Sequence, residues 1–111
     1  MRGTTLASEF VTIRRWSLRE GADESKLVTL VRDAIIPAYK RQPGCLRLTL
    51  LRLTNGSSYL ATTHWQDRAA FETWAGPAGE QWRDAYRPAL EQWLALMAFN
   101  EEWDAEEIVA S

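Results

Sequence analysis

Between Leu46 and Trp65 the chain alternates apolar and polar residues in two runs, with Asn55-Gly56 between them. Alternation at period two marks a half-buried strand. Asn and Gly accept positive φ cheaply, as both central positions of a type I′ turn require, so this stretch predicts a two-residue hairpin. The loop then sets the register. Thr54 faces Ser57, Arg52 faces Tyr59, Leu50 faces Ala61, Leu48 faces Thr63 and Leu46 faces Trp65. One face carries Leu46, Leu48, Leu50, Tyr59, Ala61 and Trp65, with Thr63 beside them. The other carries Cys45, Arg47, Thr49, Leu51, Leu53, Leu60, Thr62 and His64. The first is the drier face, and helices are expected to cover it.

The rest of the chain supplies those helices and two further strands. Residues 1 to 8 read as a frayed leader. Glu9 to Leu18 alternates as a strand, with Val11, Ile13 and Arg15 on one face and Phe10, Thr12, Arg14 and Trp16 on the other. Asp23 is placed to cap a helix in which Leu27, Leu30, Val31, Ala34, Ile35 and Ala38 form one apolar stripe. Pro37 falls inside it, lacks an N–H and crowds the preceding turn, so the helix should kink or end near Ile36. Gln42-Pro43-Gly44 is a firm stop. After the hairpin, Asp67 caps a second helix carrying Phe71 and Trp74. Gly76-Pro77-Ala78-Gly79 interrupts it. A further helix from near Pro77 bears Trp82, Tyr86, Leu90, Trp93, Leu94 and Met97, and Pro88 should bend it. Ala98 to Val109 alternates as a last strand.

Strand, helix, strand, strand, helix, strand is the split βαβ order: an α+β, ferredoxin-like fold with both helices on one face of an antiparallel sheet. The opposite face would normally be polar. Here it holds Val11, Ile13, Leu51, Leu53 and Leu60. An apolar face of that kind needs a cover, and a second copy related by a twofold axis is the simplest one. The expectation is a homodimer.

Composition narrows the function. At 111 residues the chain reads as one domain, 1–111, with its core over about residues 9–105. A net charge of −2 provides no electrostatic case for nucleic acid or an anionic membrane. No apolar run approaches the length of a membrane span, and the N-terminus lacks a signal peptide's apolar core. With the single cysteine Cys45 there is no intrachain disulfide, and a reducing, cytoplasmic setting is the default. One His and one Cys make no credible metal site. Ser57 and Ser58 have no base partner, and there is no Gly-rich phosphate loop. Six Trp in so short a chain is the unusual feature, since indoles favour interfaces and pockets for flat ligands.

Three stretches carry a family resemblance. FVTIRRWSLREG resembles the first strand and turn of the antibiotic biosynthesis monooxygenase-like family. QPGCLRLTLL resembles its Pro-Gly-containing approach to the second strand. YLATTHWQDRAAFETW resembles its third strand, ending in Trp, and the helix that follows. The resemblance implies a dimeric α+β barrel, in agreement with the two-faced sheet. For activity it implies two directions. Some members are cofactor-free oxygenases of aromatic polyketides or quinols, in which the substrate's own electron-rich ring or enolate reduces dioxygen. Such a protein needs only a dry pocket and groups that favour the substrate's anion. Other members degrade heme with an Asn, Trp and His trio. Here Trp74 matches the Trp, Arg14 falls where the Asn should be, and Asp84 falls where the iron-binding His should be, which disfavours that route.

The candidate residues each have two readings. His64, the only histidine, is a base near neutral pH or a polar spacer in the dimer seam. No Asp or Glu is expected beside it to orient the ring. Arg14 stabilises a substrate phenolate or enolate from the cavity wall, or reaches to solvent from the strand. Trp74 and Trp82 hang from the helical layer as stacking surfaces or as core. Trp65 reads as structural, Cys45 as a small hydrophobe, and Trp103 as packing at the sheet edge or in the dimer. If a pocket exists, Arg14, Thr63, Trp74 and Trp82 should line it and His64 should not. Arg14 is placed there by the family overlay. The expected function is a cofactor-independent monooxygenase acting on a small aromatic or quinol-like molecule. The alternative is a binding or accessory module of the same fold.

Overall fold

In the computed structural model, which describes residues 8–54, 56 and 58–111, each alternating segment becomes a strand. β1 is Phe10–Leu18, β2 Cys45–Arg52, β3 Ser58–Trp65 and β4 Met97–Glu106. Their order is β2-β3-β1-β4, with every neighbouring pair antiparallel. This is the ferredoxin-like α+β arrangement. All but Ser8 of the expected leader falls outside the described residues. The expected hairpin turn does so in part, because Asn55 and Ser57 lie outside them.

The hairpin register runs from Arg52 opposite Tyr59 to Arg47 opposite His64. Leu53 N–H continues it, donating to the Ser58 carbonyl at 2.9 Å. One step differs from expectation. Trp65 faces Cys45, not Leu46, because the register shifts between Cys45 and Arg47. A bulge sets two residues against one and turns side chains over. Cys45 is therefore buried beside Phe10 and Trp65, while Leu46 is 41% exposed. The strand entry is held by Gly44, whose φ of +82° suits only glycine and whose carbonyl accepts the Gln66 N–H at 2.8 Å.

Local chemistry starts the helices where expected. Asp23 caps α1 (Glu24–Leu30) by accepting from Ser25 N–H at 2.9 Å. Asp67 caps α3 (Arg68–Ala75) by accepting from Ala70 N–H at 2.8 Å. Pro37 does not end the first helix. The turn ahead of it, Val31–Ile35, widens into a π-helical turn, in which Ile36 N–H reaches back to the Val31 carbonyl. The chain continues as α2 (Ile36–Lys40), with Pro37 in its first turn, where no N–H is needed. The extra residue rotates everything after it by about 100° relative to an uninterrupted α-helix. Pro77–Gly79 forms a 3₁₀ turn before α4 (Glu80–Leu96), which contains Pro88.

The helices cover the Thr12, Tyr59 and Trp65 face. Leu27, Val31, Ile35, Tyr59, Trp93 and Met97 make the larger core. Phe10, Cys45 and Trp65 make a smaller one, packed by Phe71 and Trp74. On the opposite face Leu51 is 49% and Trp103 45% exposed. Val11, Ile13 and Leu60 are half-buried. No helix of the described residues is long and apolar enough to cross a membrane.

Candidate functional site

A cavity of about 360 Å³ lies between the helices and the sheet. Period-two alternation sends Thr12, Arg14 and Trp16 of β1, Leu48 and Leu50 of β2, and Ala61, Thr63 and Trp65 of β3 to its floor. The helical side supplies Val31, Ile35, Tyr39, Phe71, Trp74, Arg83, Tyr86, Arg87, Leu90 and Trp93. Aromatic rings meet across it: Tyr39 and Trp74 centroids are 5.3 Å apart, Tyr39 and Tyr86 5.2 Å, and Trp65 and Trp74 5.6 Å. Contacts of this kind favour offset or edge-on geometry, and they wall the space without filling it.

Three guanidinium groups border the cavity, and each is engaged. Arg14 Nε lies 2.9 Å from Glu102 Oε2, and its Nη1 lies 3.5 Å from Asp104 Oδ1. Arg83 Nη1 donates to the carbonyls of Trp74, at 2.5 Å, and Gly76, at 2.7 Å. Arg87 pairs with Asp84 at 2.5 Å. The charge of Arg14 is therefore paired along the sheet. The carboxylates come from β4, where Glu102 is the cross-strand partner of Arg14. That pairing spans 88 residues of sequence and has no local signal.

Of the residues singled out beforehand, Thr63, Trp74 and Arg14 border the cavity. Trp82 does not, and stands 36% exposed. The first turn of α4 docks on the end of α3 through Arg83, not on the sheet, so the cavity meets Arg83, Tyr86, Leu90 and Trp93 instead. His64 lies on the opposite sheet face, between Val11 and Arg47. It does have a carboxylate neighbour, contrary to expectation: Nδ1 is 3.2 Å from Glu9 Oε1. Glu9 precedes β1, and only the β1–β3 pairing brings the two together.

Tyr39, Arg83 and Arg87 border the cavity without having been anticipated. Tyr39 reaches it because the π-helical turn before Pro37 rotates α2. Its hydroxyl lies 3.4 Å from that of Tyr86. Burial pushes the Tyr39 phenol well above its ordinary value, with the neighbouring Tyr86 adding to the effect. Burial raises Tyr86 as well. Both are neutral hydroxyls near neutral pH. A raised folded-state value means stability that is fully present below the unfolded phenol's ordinary value near 10 and is lost as pH rises further. The tyrosines' contribution to the denaturant midpoint should therefore hold steady up to about pH 10 and fall above it. A Tyr39→Phe Tyr86→Phe double variant should show a shallower alkaline fall than the wild type; equal slopes would contradict the assignment.

The lining contains no carboxylate, histidine or thiol. Among the described residues no group of three His, Cys, Asp or Glu side chains is arranged to hold a metal ion. What the arrangement offers a ligand is aromatic surface, hydroxyls and indole N–H groups.

A family model for antibiotic biosynthesis monooxygenases matches residues 9–78. The structure of SnoaB, a cofactor-independent oxygenase from Streptomyces nogalater, superposes with a TM-score of 0.70 at 23% identity, covering 94% of this chain and 97% of that one. The monooxygenase ActVA-Orf6 of Streptomyces coelicolor, solved in complex with nanaomycin D, has a TM-score of 0.62 at 19% identity over 94% of this chain and 91% of that one. A heme-degrading protein of Mycobacterium tuberculosis has a TM-score of 0.60 at 24% identity over 95% and 97%. These likenesses speak for a shared fold. No curated protein matches the chain. With the family model matched over more than half of its residues, the chain belongs to the antibiotic biosynthesis monooxygenase family.

Proposed function

We propose that the protein is a cofactor-independent monooxygenase for a small aromatic or quinol-like molecule held in the helix–sheet cavity. The observation that carries this reading is the cavity itself. It measures about 360 Å³, within the usual range of ligand sites, and its walls are rich in aromatic rings. Such a site excludes water and lets an electron-rich ring react with dioxygen directly. Trp74 is the stacking surface, Thr63 a hydroxyl on the sheet side, and Arg14 the rim. In this reading the single thiol, Cys45, suits a reducing cytoplasm.

The test is a titration of hydroxylated aromatics and quinols followed by Trp fluorescence. Trp74→Ala should weaken binding about tenfold, the effect of losing one well-packed aromatic contact. Arg14→Ala should weaken it less, and His64→Ala should leave it unchanged. Sensitivity to His64 alone would move the site to the opposite sheet face. A second reading, ligand binding without chemistry, is favoured by the lining's lack of a carboxylate, histidine or thiol. Dioxygen uptake on adding a bound quinol separates the two.

We also propose a homodimer closed over the open face that carries Val11, Ile13, Leu51 and Leu60. The exposure of Leu51 and Trp103 there supports it. Leu60→Glu should leave the fold intact yet sediment as a monomer at micromolar concentration, since an unpaired carboxylate in such a seam costs several kcal/mol. A wild type that sediments only as monomer would refute the dimer outright.

A further inference from the structure

The three arginines at the cavity are held by carboxylates or backbone carbonyls, and beside them the cavity offers neutral hydrogen-bonding groups. Two of these stand together. Tyr39 from α2 and Tyr86 from α4 meet edge-on, with ring planes at 83° and hydroxyls 3.4 Å apart. A full O–H···O bond is about 2.7–2.8 Å long. The two hydroxyls thus satisfy each other only weakly, and the pair retains a proton and lone pairs for a third group. Burial keeps both phenols protonated, so the proton is available at working pH.

Trp65 adds an independent observation. It is 1% exposed, borders the same cavity, and its indole Nε1 is buried with no hydrogen-bond partner among the described residues. Buried donors are rarely left without an acceptor. An oxygen atom on a cavity ligand is a group that could accept from such a donor. The π-helical turn before Pro37 points the same way. A one-residue widening carries Tyr39 into the cavity, and such turns often occur at functional sites.

We propose that the Tyr39–Tyr86 hydroxyl pair is a specificity determinant of the cavity and favours, among flat aromatic ligands, those with a hydroxyl or carbonyl oxygen at the edge that meets the pair. The proposal rests on the aromatic-ligand reading above and adds the atoms that discriminate. An apolar wall binds a bare ring and an oxygenated one almost alike. A site with unfilled hydrogen-bonding groups rejects the ring that lacks the oxygen, because its own donors then stay unpaired.

The experiment is equilibrium dialysis of 1-naphthol and naphthalene against the wild type, Tyr39→Phe and Tyr86→Phe at neutral pH. The wild type should hold 1-naphthol about tenfold more tightly than naphthalene, the scale of a well-made buried hydrogen bond. Each Phe variant should narrow that preference to about two- or threefold by weakening 1-naphthol alone. A full preference in both variants overturns the proposal. So does equal weakening of both probes, which marks the tyrosines as packing only. A wild type that binds both probes equally well overturns this proposal and leaves the aromatic-ligand reading standing. A wild type that binds neither removes both. Should Tyr39→Phe fail to fold, Tyr86→Phe decides the matter by the same criteria.

Discussion

Trp65→Ala is expected to lower the unfolding free energy by about 3–5 kcal/mol, the range for truncating a large buried aromatic. Trp65 ends β3 and pairs with Phe10 on one side and Cys45 on the other. Its ring packs 5.6 Å from Trp74 and 6.0 Å from Phe71, centroid to centroid. With 1% of its surface exposed, nothing can collapse into the space from solvent. The void would merge with the cavity beside it, so the small core and the ligand site would fail together. One contribution runs the other way. The indole N–H has no partner among the described residues, and deleting an unsatisfied buried donor recovers part of the loss. Trp65→Phe keeps a ring and drops that donor, so it should fall much closer to the wild type. Urea midpoints for the two variants check the pair. A Trp65→Ala midpoint matching the wild type would mean that the small core contributes nothing to stability.

Gly79→Ala should be comparably damaging for a different reason. Gly79 has a φ of −91°, which any residue adopts, so backbone strain is not the issue. Space is the issue. A Cβ there would sit 2.1 Å from the Trp74 carbonyl oxygen and 2.6 Å from its carbon, both backbone atoms that cannot swing aside. The α3–α4 junction would have to open. That would break the bonds from Arg83 to the Trp74 and Gly76 carbonyls, the clamp that seats α4. Overpacking costs roughly 1–3 kcal/mol, and losing hydrogen bonds from a charged donor adds about 1.5–3 kcal/mol. A drop of about 3 kcal/mol or more follows, and ligand affinity should fall with it because Trp74 moves. Thermal melts and the aromatic titration measure the two effects. A variant that melts with the wild type would show that the junction yields freely.

Much of the fold was legible because its causes are local. Period-two alternation between turn residues sets a hairpin register, and Arg52 to Arg47 pair with Tyr59 to His64 as that rule requires. Asp23 and Asp67 cap helices through their own next turns. Thr63 falls on the cavity side and His64 on the other because adjacent strand residues must diverge. The family resemblance, carried by short stretches of strand and turn, belongs to the same local layer.

Where distant segments meet, only the tertiary structure decided. The bulge at Leu46 exchanges the environments of Cys45 and Leu46, and nothing in the run of alternating residues announces it. Pro37 read as a kink or an end of the helix; the preceding turn widens instead of ending it, and carries Tyr39 into the cavity. Trp82 shares a stripe with Tyr86, but its end of α4 packs on α3 and keeps it out of the cavity. The charge of Arg14 is offset by Glu102 and Asp104, and His64 meets Glu9, through strand pairings that join distant parts of the chain. A sequence pattern reports which face a residue takes within its own element. Which residues share that face with it depends on the register and docking of elements far apart in the chain, and those are set by packing.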